Sequence, residues 1–157
     1  MGLHHSLPSN TGVSPIVKEH RICLWWSIYC CDRFWSSKLG YPVGITDTDI
    51  GVGLPSKPEL TCSEIEISDL PNTDYILAMI RLARIAGNII GSIYRLVNPP
   101  PFVPTVQKVL RELNSWASDL APSVRLAVDG GPQSRPVVSI HLSFNQVRHS
   151  TMGGNDD

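Results

Sequence analysis

The sequence carries few charged residues and almost no net charge. Charged side chains make up 17% of its 157 residues, and 13 basic against 14 acidic residues leave a formal net charge of −1. A protein that binds DNA, RNA or an anionic membrane through its overall field needs a clear excess of positive charge. The composition excludes such a field, while a hydrophobic content of 42% indicates one ordered domain with a core.

The four cysteines lack the spacing of a metal site. The sequence has no C-x-x-C motif, and Cys30 and Cys31 are direct neighbours. Adjacent side chains on a helix diverge by about 100°, so these two thiolates cannot readily share one ion. We therefore expect the chain itself to hold no zinc or other metal, and we expect its thiols to be reduced and mostly buried.

The motifs of common catalytic and phosphate sites are also missing. The sequence contains no H-E-x-x-H, no G-x-S-x-G and no glycine-rich phosphate loop. A calcium loop that starts at Asp47 would need glycine where Val52 stands and glutamate where Pro58 stands. Five histidines accompany the cysteines, but no pattern places a base and an orienting group beside a thiol. We predict no catalytic residue, no cofactor and no enzymatic activity.

A tryptophan-rich segment, RICLWWSIYCCDRFWSSKLG, occupies residues 21–40. Apolar side chains recur there at three- and four-residue steps, which predicts a helix over residues 16–39 with Ser14 as its N-cap. Gly40 followed by Pro42 predicts its end. The residues on the apolar face are Ile22, Trp25, Trp26, Tyr29, Cys30 and Phe34.

The tryptophans of this segment allow two interpretations. Trp25, Trp26 and Trp35 are suited to a stacking platform for nucleic-acid bases, which normally lies in a basic groove. Their helical spacing and the neutral net charge favour a place in the core instead.

The same helix contains charged residues near its middle. An isolated buried charge costs several kcal/mol, so Asp32 and Arg33 each need a partner. We predict a structural ion pair, in which Asp32 reaches Arg81 or Arg84 of a second helix.

Residues 43–55, VGITDTDIGVGLP, form an extended run in which three glycines argue against a helix. Only its VGIT portion is suited to a strand. Asp47 and Asp49 are expected to accept backbone hydrogen bonds in a turn or to pair with a nearby arginine. Residues 56–73 have the acids and prolines of a surface connector.

A second helix is predicted over residues 74–97. It is amphipathic rather than transmembrane, because arginines interrupt its apolar run. Its apolar arc contains Ile76, Met79, Ala83, Ala86, Ile90, Ile93, Tyr94 and Val97. Its polar side contains Arg81, Arg84, Asn88, Ser92 and Arg95. Gly87 and Gly91 form a G-x-x-x-G motif, which indicates close approach of a neighbouring helix.

Two further helices complete the predicted architecture. Prolines in residues 98–104 break the second helix, and a third follows over residues 105–120. After a loop at 121–136, a fourth helix begins at Val137, with Ile140, Phe144 and Val147 in register. Four helices with proline-bounded loops predict an all-α helical array.

One set of residues in this chain has the pattern of a known regulatory domain. Its members are Arg21, Trp25, Trp26, Tyr29, Asp32, Arg33, Leu39, Gly40, Pro42, Ile45, Asp47, Asp49, Ile50, Leu54 and Pro55. Gly2-Leu3-His4 before this set and the HLSFN sequence at 141–145 after it are part of the same pattern. The set resembles the signature block of the fungal-specific transcription factor domain, or middle homology region, of fungal zinc-cluster transcription factors.

The resemblance implies an all-helical regulatory domain over residues 1–149, with 150–157 as a disordered tail. The protein would be a nuclear regulator of RNA polymerase II transcription, and the signature residues would be structural. Members of this family bind DNA through a separate N-terminal module in which six cysteines hold two zinc ions. The four cysteines here cannot supply six ligands, so zinc and DNA contacts are expected only in that module, outside this chain.

Helices precede and follow the matching region in the family, so we expect this chain to be a fragment. Apolar helix faces would then be exposed and available to protein partners or to self-association, and no membrane role is expected. The alternative from another class is a small helical protein that binds DNA or a membrane surface through Arg81, Arg84 and Arg95.

Overall fold

The computed structural model describes residues 2, 5, 12–56, 72–93, 101–127 and 132–152. Within these ranges the chain forms four helices and no strand, so the all-α prediction is confirmed and the VGIT portion is not a strand. The helices are α1 (Pro15–Leu39), α2 (Thr73–Ile93), α3 (Phe102–Ser118) and α4 (Arg135–Met152). Single 3₁₀ turns occur at Asp47–Asp49 and Pro122–Val124.

The first helix begins and ends as its sequence predicts. The Ser14 hydroxyl accepts a hydrogen bond from the Val17 amide (3.4 Å), which satisfies one of the unpaired donors of the first turn. Gly40 takes a positive φ of 70°, a conformation that is open to glycine because it has no Cβ. Just beyond it, the Pro42 carbonyl accepts from the Ser36 hydroxyl (3.5 Å).

The second helix lies at the centre of the molecule and contacts α1, α3 and α4. Arg81, Arg84 and Asn88 are exposed, as predicted. The single apolar arc predicted for this helix is too narrow, because three neighbouring helices cover more of its circumference than one would. Its buried residues include four outside that arc: Ala78, Ile80, Leu82 and Ile89.

Two helices begin earlier than predicted because each accommodates a proline in its first turn. The α3 helix starts at Phe102 and contains Pro104, and α4 starts at Arg135 and contains Pro136. The amide of a first-turn residue has no partner within the helix, so proline is tolerated there. The predicted connector and the predicted end of the second helix at 97 lie largely outside the described residues.

The fourth helix also extends further than predicted. Residues 150–152 are helical, and the Thr151 hydroxyl is buried and donates to the Val147 carbonyl (2.8 Å). The prediction of a disordered tail from residue 150 is therefore wrong for these three residues, while residues 153–157 lie outside the described part of the chain.

The core has two clusters that share α2. One joins α2, α3 and α4 around Trp116, whose indole N–H donates to the Ala78 carbonyl (2.9 Å) and whose ring stacks on Phe144 at 5.4 Å. The other joins α1 to α2 and buries Trp25 and Trp26, as predicted. No described helix is long and apolar enough to span a membrane.

The core assignment of Trp35 is wrong. Its side chain is 59% exposed, whereas Trp26 is 1% exposed. Nine residues at about 100° each separate the two positions, which places them on opposite sides of α1.

Candidate functional site

The signature segment folds back on itself around a buried arginine. Arg33 of α1 is 3% exposed, and its guanidinium reaches the extended residues that follow the helix. Its Nη2 donates to the Asp47 carboxylate (2.8 Å) and to the Ile45 carbonyl (2.6 Å). Its Nη1 donates to Asp32 (2.7 Å). We call Arg33, Asp32, Asp47 and Tyr29, described next, the arginine cluster.

Tyr29 completes this cluster from one helical turn earlier. Its hydroxyl donates to the same Asp47 oxygen (2.9 Å), and the Arg33 guanidinium lies 4.5 Å from its ring centroid. Burial raises the pKa of Tyr29, and the hydrogen bond to Asp47 raises it further. Burial alone would lower the pKa of Arg33, but Asp47 and Tyr29 outweigh it and the pKa is raised. At neutral pH the arginine is thus charged and the tyrosine neutral.

Asp32 has a different partner from the one predicted. It pairs with its neighbour Arg33 rather than with Arg81 or Arg84, and both of its oxygens lie 3.2 Å from the Gly44 amide, which donates to them. The long arginine side chain can turn back toward the preceding residue, whereas the two α2 arginines are on the exposed side of their helix. The predicted structural ion pair exists, and so does the predicted pairing of Asp47 with an arginine.

The second helix approaches the arginine cluster at Gly87. A Cβ at that position would lie 2.9 Å from Cδ and 3.0 Å from Nε of Arg33, which is too close for any side chain. The G-x-x-x-G prediction is therefore confirmed at Gly87. It is wrong at Gly91, where a Cβ would have no atom within 4 Å.

Two further contacts hold the segment after the arginine cluster against α1. The Trp26 indole N–H donates to the Gly53 carbonyl (2.8 Å). Pro55, two residues after Gly53, is buried. The buried carboxylate of Glu19 accepts from the Ser56 amide (2.8 Å) and hydroxyl (3.4 Å). Sequence reasoning missed Glu19. The only feature of the sequence that indicated burial of Glu19 was its position seven residues before Trp26, on the apolar face of the helix.

Three further signature residues lie on α1 or in the 3₁₀ turn that carries Asp47. Arg21 donates to the Gly2 carbonyl (3.1 Å), and Trp25 is 4% exposed. Asp49 accepts from the Thr46 hydroxyl (2.8 Å), which closes the 3₁₀ turn that carries Asp47. All fifteen residues of the signature set lie in the described part of the chain, on α1 or in residues 40–55.

The two buried thiols of α1 are unsuited to nucleophilic chemistry. Cys23 and Cys30 are buried, as predicted, while Cys31 is exposed. Burial raises the pKa of Cys30 to about 12, and the neighbouring Cys31 adds to the shift, so the thiol is protonated at neutral pH. Among the described residues, no three His, Cys, Asp or Glu side chains come together as a metal site would require.

The alternative arginine surface is not uniformly basic. Arg81 borders a cleft of about 230 Å³ between α2 and α3, whose rim also carries Asp74 and Asp119. The Arg84 guanidinium lies 5.5 Å from the ring centroid of Trp26. Arg95 lies outside the described residues.

The family model and the related proteins that match this chain agree with one another. The family model of the fungal specific transcription factor domain matches residues 1–118. An uncharacterized transcriptional regulatory protein of Schizosaccharomyces pombe is 35% identical over 150 residues, which cover 93% of this chain and 18% of that protein. The thiamine repressible genes regulatory protein thi1 of the same species is 33% identical over 131 residues, covering 79% of this chain and 16% of that protein.

A third relative comes from a second yeast. Activator of stress genes 1 of Saccharomyces cerevisiae is 28% identical over 158 residues, covering 94% of this chain and 16% of that protein. The chain thus spans less than a fifth of the length of these relatives. No solved structure matches the chain. Since the family model covers most of its length, the chain belongs to the fungal specific transcription factor domain family.

Proposed function

We propose that this chain is a non-catalytic regulatory domain of a fungal transcriptional regulator, which acts on RNA polymerase II transcription in the nucleus. The observation that carries the proposal is the family match, which includes the whole arginine cluster. The matched relatives are transcriptional regulators by name.

The chemistry of the cluster supports a structural rather than a catalytic use of its polar groups. Arg33, Tyr29 and Asp47 are hydrogen-bonded to one another, and Asp32 is bound to Arg33 and to a backbone amide. Arg33 is 3% exposed, so its guanidinium is inaccessible to a substrate, and its hydrogen bonds instead hold the segment after α1 against the helix.

DNA contacts and zinc are proposed to belong to a module outside this chain. Its four cysteines are too few for the six-cysteine cluster that the family resemblance implies, and its net charge of −1 gives no general attraction to phosphate. Within the regulator, this domain would act through contacts with other protein surfaces.

A tethering experiment tests this function. The chain is fused to the DNA-binding module of an unrelated regulator, and a reporter with the matching operator is measured in a fungal host. We expect the fusion to raise or lower reporter output at least about threefold relative to the module alone. Arg33→Met should abolish the effect because it breaks the cluster, whereas Arg148→Met, an exposed arginine of α4, should retain it. A fusion that accumulates in the nucleus and leaves the reporter unchanged contradicts the proposal.

A further inference from the structure

The cleft between α2 and α3 combines charged groups of both signs with an apolar interior. Its volume is about 230 Å³, and its rim carries Asp74, Arg81 and Asp119. The apolar side chains that line it are Leu77, Ala78, Trp116 and Leu120. We call it the α2–α3 cleft.

The spacing of residues on α2 sets the layout of this cleft. Asp74 and Arg81 are seven residues apart, which places them on the same side of the helix and about 10 Å apart along its axis. Ion pairs within a helix span three or four residues, so this separation is too long for a direct pair. Leu77 and Ala78 lie between the two charges and line the cleft. The helix therefore presents a carboxylate, an apolar surface and a guanidinium in that order.

The charged groups of the rim do not neutralise one another. Within the described part of the chain, the Arg81 guanidinium forms no hydrogen bond or ion pair. Asp74 accepts from the Ser123 hydroxyl (2.9 Å), and Asp119 accepts from the Ser115 hydroxyl (3.4 Å). These donors are uncharged and use one oxygen of each carboxylate. The negative charges and the positive charge are thus both available to a ligand.

We propose that the α2–α3 cleft binds a small zwitterion, namely an α-amino acid with an apolar side chain. Its carboxylate pairs with Arg81, and its ammonium group pairs with the carboxylates of Asp74 and Asp119. A simple anion would meet two carboxylates, and a simple amine would leave the guanidinium unpaired, so a molecule with both charges fits the rim best. This inference rests on the cleft alone and does not depend on the proposed function.

The size and rigidity of the cleft suit a ligand of this kind. An apolar cavity of about 150 Å³ holds benzene, so in proportion this cleft accommodates about nine non-hydrogen atoms, the size of leucine. Exposed ion pairs contribute little by themselves, so contact of the ligand side chain with Leu77 and Ala78 supplies part of the affinity. Trp116 is fixed by its hydrogen bond to the Ala78 carbonyl (2.9 Å), which leaves little ordering to be done on binding.

Titration with leucine, followed by NMR, tests the site. We expect the indole N–H signal of Trp116 to shift with a dissociation constant on the order of 1 mM or tighter. Isocaproate lacks the ammonium group and isopentylamine lacks the carboxylate, so each should bind at least about tenfold more weakly. Alanine keeps both charges without the apolar body and should also bind more weakly. No shift at about 10 mM leucine, or an analogue that binds as tightly as leucine, overturns the proposal.

Substitutions at the rim assign each charge of the ligand to its partner. Arg81→Gln should weaken leucine binding at least about fivefold without weakening isopentylamine, and Asp119→Asn should weaken leucine without weakening isocaproate. Arg84→Gln is the matched control, because Arg84 is also an exposed arginine of α2 but lies beside Trp26, outside the cleft. All three positions are exposed, so the variants should keep the fold. Equal weakening of leucine binding by Arg81→Gln and Arg84→Gln overturns the assignment of the site.

Discussion

Arg33 illustrates how one side chain connects three parts of this molecule. Its guanidinium binds residues of the segment after α1, and the aliphatic part of its side chain packs against Gly87 of α2. The Tyr29 ring packs against the charged guanidinium. The sequence correctly predicted that Asp47 pairs with an arginine, but it assigned Asp32 to Arg81 or Arg84 instead of Arg33. Helical periodicity assigns residues to faces and cannot tell how a later loop folds back over them.

The two glycines of α2 provide a test at the residue scale. Gly87→Ala should destabilise the protein by about 1 to 2 kcal/mol, because the new methyl group would collide with an Arg33 side chain that its hydrogen bonds prevent from moving. Gly91→Ala should stabilise it by about 0.5 to 1 kcal/mol, since alanine favours the helix and meets no atom there. Urea unfolding of both variants checks this, and a stabilising Gly87→Ala would contradict the close approach.

The buried thiol of Cys30 predicts loss of stability at alkaline pH. Burial raises its pKa from 9.0 to about 12 in the folded protein. The folded chain therefore keeps a proton that the unfolded chain loses. The contribution of this thiol to the free energy of unfolding is complete below about pH 9 and falls as the pH rises toward 12. The slope from this group is at most about 1.4 kcal/mol per pH unit. Tyr29 and Cys23 shift in the same direction.

Urea unfolding between about pH 8 and pH 10.5 measures this slope. Cys30→Ala should reduce it, whereas Cys31→Ala should leave most of it, because burial is a larger cause of the shift than the neighbouring thiol. An equal slope for the wild type and Cys30→Ala would show that the thiol is not buried as described.

At the scale of elements, the four helices are the best predicted feature. The start of α1 at Pro15 and its end at Leu39 follow from capping residues, which act locally and can be read in sequence. The α3 and α4 starts were misplaced because a proline is compatible with both a loop and a first helical turn. The central position of α2 was missed, since it depends on three partners that are distant in sequence.

The extended segment at 43–56 should be held mainly by its contacts with α1. Trp26→Phe removes the hydrogen bond to the Gly53 carbonyl while keeping an aromatic ring, and we expect a loss of about 1 kcal/mol. Hydrogen exchange should then rise more in residues 43–56 than in α3, which has no contact with this bond. An equal rise in both regions would indicate global rather than local loosening.

At the scale of the whole molecule, basic and acidic residues nearly balance, and the formal net charge is −1. Exposed Arg81 is accompanied by Asp74 and Asp119 around the same cleft, so the local field is mixed as well. The resemblance of the signature block correctly indicated the family. The exposed apolar side chains of α1, such as Leu24 and Ile28, were foreseen only as exposed apolar faces in general, because exposure depends on what covers a helix.

Binding to duplex DNA tests the alternative function. We expect a dissociation constant no tighter than about 10⁻⁴ M at physiological salt, which is the weak end of non-specific binding. The double variant Arg81→Gln/Arg84→Gln should behave in the same way. Tight binding that weakens with added salt and disappears in the double variant would favour the arginine surface as a nucleic-acid site.

A double-mutant cycle between Arg33 and Asp47 tests the structural claim that supports the whole account. Arg33→Met should cost about 1.5 to 3 kcal/mol, because it removes hydrogen bonds to charged groups while the 56% exposed Asp47 can be solvated. Its coupling to Asp47→Asn should be about 1 to 3 kcal/mol. The matched control is Asp49→Asn, which changes a carboxylate bound to Thr46 and should couple to Arg33 by no more than about 0.5 kcal/mol. Equal coupling to both aspartates, or a stable Arg33→Met variant, would contradict the account.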